Sequence, residues 1–157
     1  MAISLSLQQY LDGRGVDYET LTHERTLRSS DTAEISAISE DNLAKGVLLR
    51  RKGGYLLAIV PASCHVRIDA VAEWMKQPVH MATEADVANV FDDCELGSVP
   101  PVAGAYGLPA VMDESLEGFS DIYFEGGDHR TLVHLSGRDF HNLTREVPHA
   151  RIGARNH

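Results

Sequence analysis

Apolar side chains recur along the chain with two periods, and the period indicates which element each segment forms. Helical spacing behind a capping residue predicts helices at residues 4–12, 31–38, 69–75, 83–91 and 137–143. Alternating or continuous short apolar runs between turn residues predict strands. These strands are residues 16–22, 43–51, 55–60, 79–82, 110–112, 122–124 and 131–135.

Two pairs of glycines mark turns between neighbouring strands. Gly53-Gly54 and Gly126-Gly127 each separate two apolar runs, so each pair predicts a hairpin. Residues 97–109 are rich in Gly and Pro, which predicts a long loop. Hairpin-linked strands with interspersed helices predict an α+β fold, a single domain whose mixed, mostly antiparallel sheet is surrounded by helices. We assign this domain to residues 1–144 and a polar, loose tail to residues 145–157.

The charge distribution favours some partners and excludes others. A net charge of −9 over 157 residues argues against a general nucleic-acid binder, and we expect no binding to DNA. Basic residues are nevertheless concentrated between positions 25 and 52, whereas residues 77–129 contain none. Two solvated faces of one protein would explain this asymmetry. The alternative is a basic edge that meets a phosphate backbone.

The sequence predicts a cytoplasmic protein with two free thiols and no metal or cofactor. No window approaches a membrane span, and no basic stretch precedes an apolar run at the N-terminus. Cys64 and Cys94 form no CxxC motif. His129 and His134 share a predicted strand, where an odd separation sends side chains to opposite faces, so they are not expected to bind one metal ion. A GxSxG nucleophile motif is also absent.

Lys45 and the segment from Gly97 to Pro101 are the strongest candidates for chemistry. In an extended strand Lys45 shares a face with Val47 and Leu49, which directs a cation toward an apolar side. A strand-end lysine whose charged end group reaches water past an apolar stem would give the same sequence pattern. Two prolines hold the second segment rigid while Gly97 permits close approach, as a substrate-holding loop requires. A plain connecting loop is the alternative.

The order of motifs resembles the YbaK/EbsC family. This family includes free-standing Cys-tRNA(Pro) and Ala-tRNA(Pro) deacylases and the editing insertion of bacterial prolyl-tRNA synthetases. The similarity runs from about residue 3 to residue 144. It is carried by His23, Lys45 at the opening of its strand, Ile59-Val60-Pro61, the GxxxP loop from Gly97 to Pro101, and the segments 108–113 and 122–127.

The resemblance implies the editing-domain fold of this family and a metal-independent hydrolase that deacylates a mischarged aminoacyl-tRNA in trans. Its partners would be the acceptor end of the aminoacyl-tRNA and, as a further candidate, a synthetase. The implied catalytic residues are Lys45, Gly97, Ser98 and Pro101, with backbone N–H groups of Gly97 and Ser98 holding the aminoacyl carbonyl. The implied substrate-binding residues are His23, Gly46, Glu125, Gly126, Gly127 and His129. Together with the charge map, it assigns tRNA binding to Arg25, Arg28, Arg50, Arg51 and Lys52.

Three positions depart from the family pattern. Gly46 stands where Thr is common, Val102-Ala103 replaces a large apolar residue and Gly, and Glu125 replaces Ser or His. A pocket-facing Glu125, with His129 at the same mouth, would favour small or polar aminoacyl groups such as Ala, Ser or Cys, whereas a strand-end Glu125 would point to water. The departures and the acidic stretch 77–129 also keep open a non-catalytic regulatory module that binds an amino acid or aminoacyl-tRNA in the same pocket.

Overall fold

The computed structural model describes residues 3–24, 31–33 and 36–156. Arg25 and Arg28 lie outside these residues, and so does part of the helix predicted at 31–38. The helices are α1 (Leu5–Gly13), α2 (Ile68–Met75), α3 (Glu84–Val90) and α4 (Gly137–Leu143), with 3-10 turns at Ala103–Tyr106 and Glu114–Leu116. The strands are β1 (Glu19–Thr22), β2 (Leu43–Arg51), β3 (Gly54–Pro61), β4 (Cys64–Val66), β5 (Val79–Met81), β6 (Ala110–Asp113), β7 (Asp121–Glu125), β8 (Thr131–Ser136), β9 (His149–Ala150) and β10 (Gly153–Arg155).

The strands form one large mixed sheet and a small accessory ladder. The large sheet has the order β1-β8-β7-β2-β3-β6-β9, and β5 pairs with the end of β2. The hairpins β2–β3 and β7–β8 are antiparallel, whereas β2–β7, β3–β6 and β6–β9 are parallel. β10 pairs with β4. The predicted α+β domain with a mixed sheet is therefore confirmed.

Local capping explains where most helices begin. The Ser4 hydroxyl accepts the Leu7 N–H at α1, and Thr83 forms a reciprocal capping box with Asp86 at α3. The prediction that Asp69 caps α2 is wrong, because this helix begins one residue earlier and Asp69 lies in its first turn. There its carboxylate complements the positive end of the helix dipole.

Helices cover the two faces of the sheet differently. On the first face, one continuous apolar cluster joins Leu7 and Leu11 of α1, Phe140 of α4 and Phe124 of β7. The second face carries two separate clusters. One surrounds Leu49 and Val71, and the other is formed by Ala33, Leu43, Ala62 and Leu132. Because side chains alternate along β2, Lys45 projects on the second face, after Leu43 of one cluster and before Val47 and Leu49 of the other.

The prediction of a loose C-terminal tail is wrong for the described residues through Asn156. Residues 149–150 add β9 to the edge of the large sheet, and residues 153–155 form β10. Ile152 is fully buried between them. The Asp113 carboxylate accepts the N–H groups of Ile152 at 2.9 Å and Gly153 at 2.8 Å. A buried apolar anchor and a charged acceptor therefore hold a mostly polar segment in place.

Among the helices of the described residues, none has the length and apolar composition needed to span a bilayer.

Candidate active site

The large sheet has a gap beside the middle of β2. On the side away from β3, β7 pairs with β2 only at Leu43 and Ala44. β5 begins its pairing at Leu49, and the Ala82 N–H donates to Leu48 O at 3.1 Å. Between Ala44 and Leu48, no described strand pairs with this edge of β2.

The backbone of Gly46 faces this gap. Hydrogen-bonded and non-hydrogen-bonded pairs alternate in an antiparallel ladder. The Ala62 N–H donates to Leu43 O at 2.7 Å, so the next hydrogen-bonded pair along β2 and β3 is Lys45 with Val60. The Gly46 N–H therefore points away from β3, at the point where β7 has already separated. Within the described part of the chain it donates no hydrogen bond and is available to a ligand.

The loop at residues 97–101 packs against the same glycine. A Cβ atom on Gly46 would lie 3.1 Å from Leu57 Cδ1, 3.4 Å from Val99 Cγ1 and 3.4 Å from Pro101 Cα. A Thr side chain at position 46 would press on both the core and the buried Pro101. The departure from the family pattern at position 46 thus lets the loop approach the strand closely.

Lys45 provides a half-buried cation next to the gap. Burial lowers the pKa of its ammonium group, and the electrostatic influence of the nearby Cys64 and Glu40 acts in the opposite direction. The predicted sharing of a face with Val47 and Leu49 is confirmed. Lys45 therefore interrupts an otherwise apolar surface.

Glu125 is a buried carboxylate at the corresponding end of β7. Only 8 % of the residue is exposed, so the interpretation as a strand-end glutamate in water is wrong. Its Oε1 accepts the Thr32 hydroxyl at 3.0 Å, and the Ser98 hydroxyl donates to Oε2 over a long 3.4 Å. Burial raises the pKa of Glu125, while the Thr32 hydrogen bond, two nearby histidines and the Ser98 hydrogen bond partly offset this rise.

His23 places a buried ring nitrogen beside the Glu125 carboxylate. Its Nδ1 lies 2.6 Å from Glu24 O and must donate, because a carbonyl oxygen can only accept. The buried Nε2 lies 3.5 Å from Glu125 Oε1 and has no hydrogen-bond partner among the described residues. One proton between these atoms would turn this contact into a hydrogen bond from either side.

His129 holds the loop from the other side of Glu125. It lies in a turn with φ of 60°, outside β8, so the prediction that it shares a strand with His134 is wrong. Its Nε2–H donates to Leu96 O at 2.6 Å, and its backbone N–H donates to the Ser98 hydroxyl at 3.2 Å. A left-handed backbone at a bulky residue costs about 1–3 kcal/mol, which these two contacts offset.

Ser98 contributes its side chain to the site, and its backbone N–H is already used. The Ser98 N–H donates to Glu95 O at 3.0 Å, so the expectation that it holds a substrate carbonyl is wrong. Gly97 is exposed with φ of +86°, and a Cβ atom there would lie 3.4 Å from the His129 ring. Among the described residues, its N–H donates no hydrogen bond. Gly46 and Gly97 are therefore the glycines that present unpaired amides here.

The two glycines after Glu125 are accounted for by packing. A Cβ atom on Gly126 would lie 2.5 Å from Ile3 Cγ2, and one on Gly127 would lie 3.3 Å from both Cys94 Sγ and Ser4 Cβ. Both residues are buried. The N-terminal segment therefore covers them, which contradicts the expectation that they contact a substrate directly.

The described residues of the predicted basic edge, Arg50, Arg51 and Lys52, lie at the opposite end of β2 from Lys45. Arg51 is six residues from Lys45, or about 20 Å at ~3.3 Å per residue. The Arg50 side chain is 57 % exposed and its Nε lies 3.8 Å from Asp86, whereas Arg51 Nε donates to Tyr55 O at 3.1 Å. Lys52 is exposed in the turn between β2 and β3.

Neither thiol takes part in the hydrogen-bond network of Glu125. Cys64 is buried, and burial raises the pKa of the Cys94 thiol to about 11, so this group is protonated at neutral pH. In the same described ranges, no three His, Cys, Asp or Glu side chains are grouped in a way that could hold a metal ion.

Sequence reasoning missed Thr32 as a site residue. The pattern around its neighbour Asp31 predicts a helix start, which assigns no role to Thr32, a buried residue whose hydroxyl donates to Glu125. A threonine carries no signal of its own for such a partner, because the two residues are 93 positions apart.

Comparison with known proteins assigns the family. The model of the aminoacyl-tRNA editing domain matches residues 23–143, which is most of the chain. No curated protein sequence matches at a significant level.

Solved structures share the fold at low sequence identity. The hypothetical protein APE2540 aligns with a TM-score of 0.84 at 22% identity, covering 95% of this chain and 99% of that one. A candidate trans-editing enzyme for prolyl-tRNA synthetase aligns with a TM-score of 0.82 at 22% identity, covering 95% of both chains. A candidate signal-transduction protein from Marinobacter aquaeolei VT8 aligns at 0.78 and 19% identity, with 96% of this chain matching 30% of that one.

Proposed function

Because the chain belongs to the aminoacyl-tRNA editing domain family, we propose that it is a trans-editing hydrolase that cleaves the ester bond of a mischarged aminoacyl-tRNA carrying a small amino acid. The name of the structural neighbour described as a candidate trans-editing enzyme for prolyl-tRNA synthetase supports a role in trans. A prolyl-tRNA synthetase is accordingly the candidate protein partner, and the cytoplasm, where tRNAs are charged, is the expected compartment.

The observation that carries this proposal is the gap beside Lys45. It combines a half-buried cation, an unpaired Gly46 amide on a rigid strand and a loop that closes against that glycine. Ester hydrolysis needs donors aimed at a developing oxyanion and a substrate held still. Backbone amides fixed by a sheet and a proline-containing loop meet the first need without reorganisation during the reaction.

We assign the roles as follows. The Lys45 ammonium holds a phosphate or ribose oxygen of the terminal adenosine as a point charge. The Gly46 and Gly97 amides hold the aminoacyl carbonyl, and a ribose hydroxyl of the tRNA assists the attacking water. Pro101 acts by fixing the loop. Neither a metal ion nor a protein nucleophile enters the reaction.

Glu125 sets the preference for the aminoacyl group in this proposal. Its carboxylate lies in the buried network of Thr32, Ser98 and His23, where it would attract the α-ammonium group or a polar side chain of the substrate. A purely apolar group would also leave the carboxylate poorly paired. The preferred substrates are therefore tRNAs charged with Ala, Ser or Cys over those charged with Val or Leu.

Deacylation of a panel of mischarged tRNAs tests the proposal. We expect wild-type protein to release a small amino acid and Lys45→Ala to lower the rate about a hundredfold or more, as loss of a positioning charge implies. Lys45→Met keeps the apolar stem and should show the same loss in a folded protein. Arg138→Ala removes an exposed cation from α4 and is the matched control.

Two results would overturn the assignment. If Lys45→Ala deacylated the tRNA at the wild-type rate, the reaction would not take place at this site. Tight binding of charged tRNA by wild-type protein without turnover of any ester would instead identify the chain as a non-catalytic binding module.

A further inference from the structure

A wide cleft of the described residues lies at the hairpin end of β2 and β3. It has a volume of about 810 Å³ and opens between the C-terminal ends of α1, α2 and α4 and the loop before β6. Val102, Leu108 and Leu143 contribute to an apolar floor. The cleft includes Arg51 but not Lys45, so it is distinct from the gap in the sheet.

Three arginines line this cleft without carboxylate partners among the described residues. They are Arg14, Arg51 and Arg145. Of the other described arginines, those at positions 50, 67, 151 and 155 each lie within 4 Å of a carboxylate, whereas the exposed Arg130 and Arg138 have no such partner among the described residues. The lining thus holds three cations from three distant segments against one carboxylate, Glu146. In a chain with a net charge of −9, this local excess of positive charge favours an anion.

The cleft also presents aromatic surfaces beside these cations. Trp74, the only tryptophan of the chain, is 39 % exposed at the end of α2. The Arg14 guanidinium lies 4.8 Å from the centre of the Tyr10 ring, and Tyr10 also lines the cleft. Aromatic faces and guanidinium planes are the surfaces on which unpaired bases stack, and arginines track the phosphates on either side.

We propose that this cleft is an RNA-binding site that stacks an unpaired base on Trp74 and holds neighbouring phosphates with Arg14, Arg51 and Arg145. A free phosphate would make no contact with the apolar floor. A phosphate ion is also too small to fill a cleft of about 810 Å³ that carries three cations. The identity of this RNA as the tRNA substrate rests on the proposed editing function. The site is then a second anchor, about 20 Å along β2 from Lys45 at ~3.3 Å per residue.

The single tryptophan makes the site directly observable. Titration with uncharged tRNA, and with a short RNA hairpin that has an unpaired 3′ end, should quench Trp74 fluorescence in step with binding measured by anisotropy. Trp74→Ala should weaken binding about five- to a hundredfold, the range found for loss of one stacked base. Arg145→Glu should weaken it further in low salt and reduce the slope of log affinity against log salt by about 0.7. Arg138→Glu carries the same charge change on a surface outside the cleft and should bind like wild type.

Two outcomes would overturn the inference. RNA that binds without changing Trp74 fluorescence must bind elsewhere. Equal quenching by poly-glutamate would identify the cleft as a site for acidic polypeptide. Because binding is measured with uncharged RNA, a failure here leaves deacylation intact, whereas a chain that binds RNA in this cleft but cleaves no ester refutes only the editing function.

Discussion

Replacement of Glu125 by glutamine removes a buried charge while keeping the shape of the side chain. The amide oxygen can still accept the Thr32 hydroxyl, and the amide N–H can donate to the Ser98 hydroxyl. What changes is the cost of holding an ionised carboxylate in a site that water barely reaches. The substitution therefore separates the effect of charge from the effect of packing.

The sign of the stability change follows from the pKa shift. Burial raises the pKa of Glu125 above its ordinary value of 4.5, so the folded protein binds this proton more tightly than the unfolded chain. The stability contributed by this group is fully present below the unfolded value and is lost as the pH rises through the raised value. Glutamine does not titrate. Glu125→Gln should therefore equal wild type near pH 4 and exceed it in stability at higher pH.

The magnitude scales with the size of the shift. Each unit by which the pKa is raised corresponds to about 1.4 kcal/mol of unfolding free energy above that pKa. For a chain of this length, this amounts to an increase in Tm of about 3–6 °C per unit. Glu125→Ala behaves differently, because it leaves the Thr32 and Ser98 hydroxyls without their acceptor. It should lose about 2 kcal/mol or more at every pH.

Urea unfolding at a series of pH values between 4 and 8 measures this difference. Glu73→Gln removes an exposed carboxylate from α2 and should show no pH-dependent gain over wild type. A Glu125→Gln protein that is less stable than wild type at pH 8 would refute the reasoning. That result would mean that the ionised carboxylate is net stabilising, for example through an ion pair with a protonated His23.

Three further outcomes are expected in deacylation assays. Activity should survive a chelator and the Cys64→Ser, Cys94→Ser double substitution, because the Cys94 thiol is protonated at neutral pH, and loss that zinc restores would contradict this. Charge reversal of Arg50 and Arg51 should raise KM and flatten the salt dependence more than it lowers kcat, and an unchanged KM at low salt would argue against tRNA approach over that edge. Glu125→Ser and Glu125→Gln should shift the preference among tRNAs charged with Ala, Ser, Cys and Val, so identical profiles would remove Glu125 from the specificity pocket.

Sequence periodicity was sufficient for every strand of the large sheet except β9, and for most helices. The two hairpins were predictable because apolar alternation and glycine turns lie within a few residues of each other. The position of Lys45 on an apolar face followed from the same alternation. The gap beside Gly46 did not, because it depends on where β7 and β5 stop pairing with β2. Those pairings join residues far apart in the chain, and period alone does not fix them.

The local sequence pattern also could not predict the hydrogen-bond network around the buried Glu125 carboxylate. Glu125 follows a strand and precedes two glycines, where a charged residue usually faces water. Its burial depends on Thr32 and Ser98, which arrive from separate segments. The prediction of a loose C-terminal tail failed for a related reason. One buried side chain, Ile152, and two backbone hydrogen bonds to the Asp113 carboxylate hold the segment in place despite its polar composition.

The departures from the family pattern do not act on the same part of the molecule. Val102 and Ala103 are buried in the apolar core of the first face, and neither side chain belongs to the hydrogen-bond network of Glu125. Gly46 and Glu125, by contrast, both act on the loop at residues 97–101. Gly46 lets Val99 and Pro101 approach β2, and Glu125 takes the Ser98 hydroxyl that His129 also binds. These two departures therefore set the position of the loop and, with it, the distance between the Gly46 and Gly97 amides. That distance is the feature through which this chain would differ in substrate from its relatives.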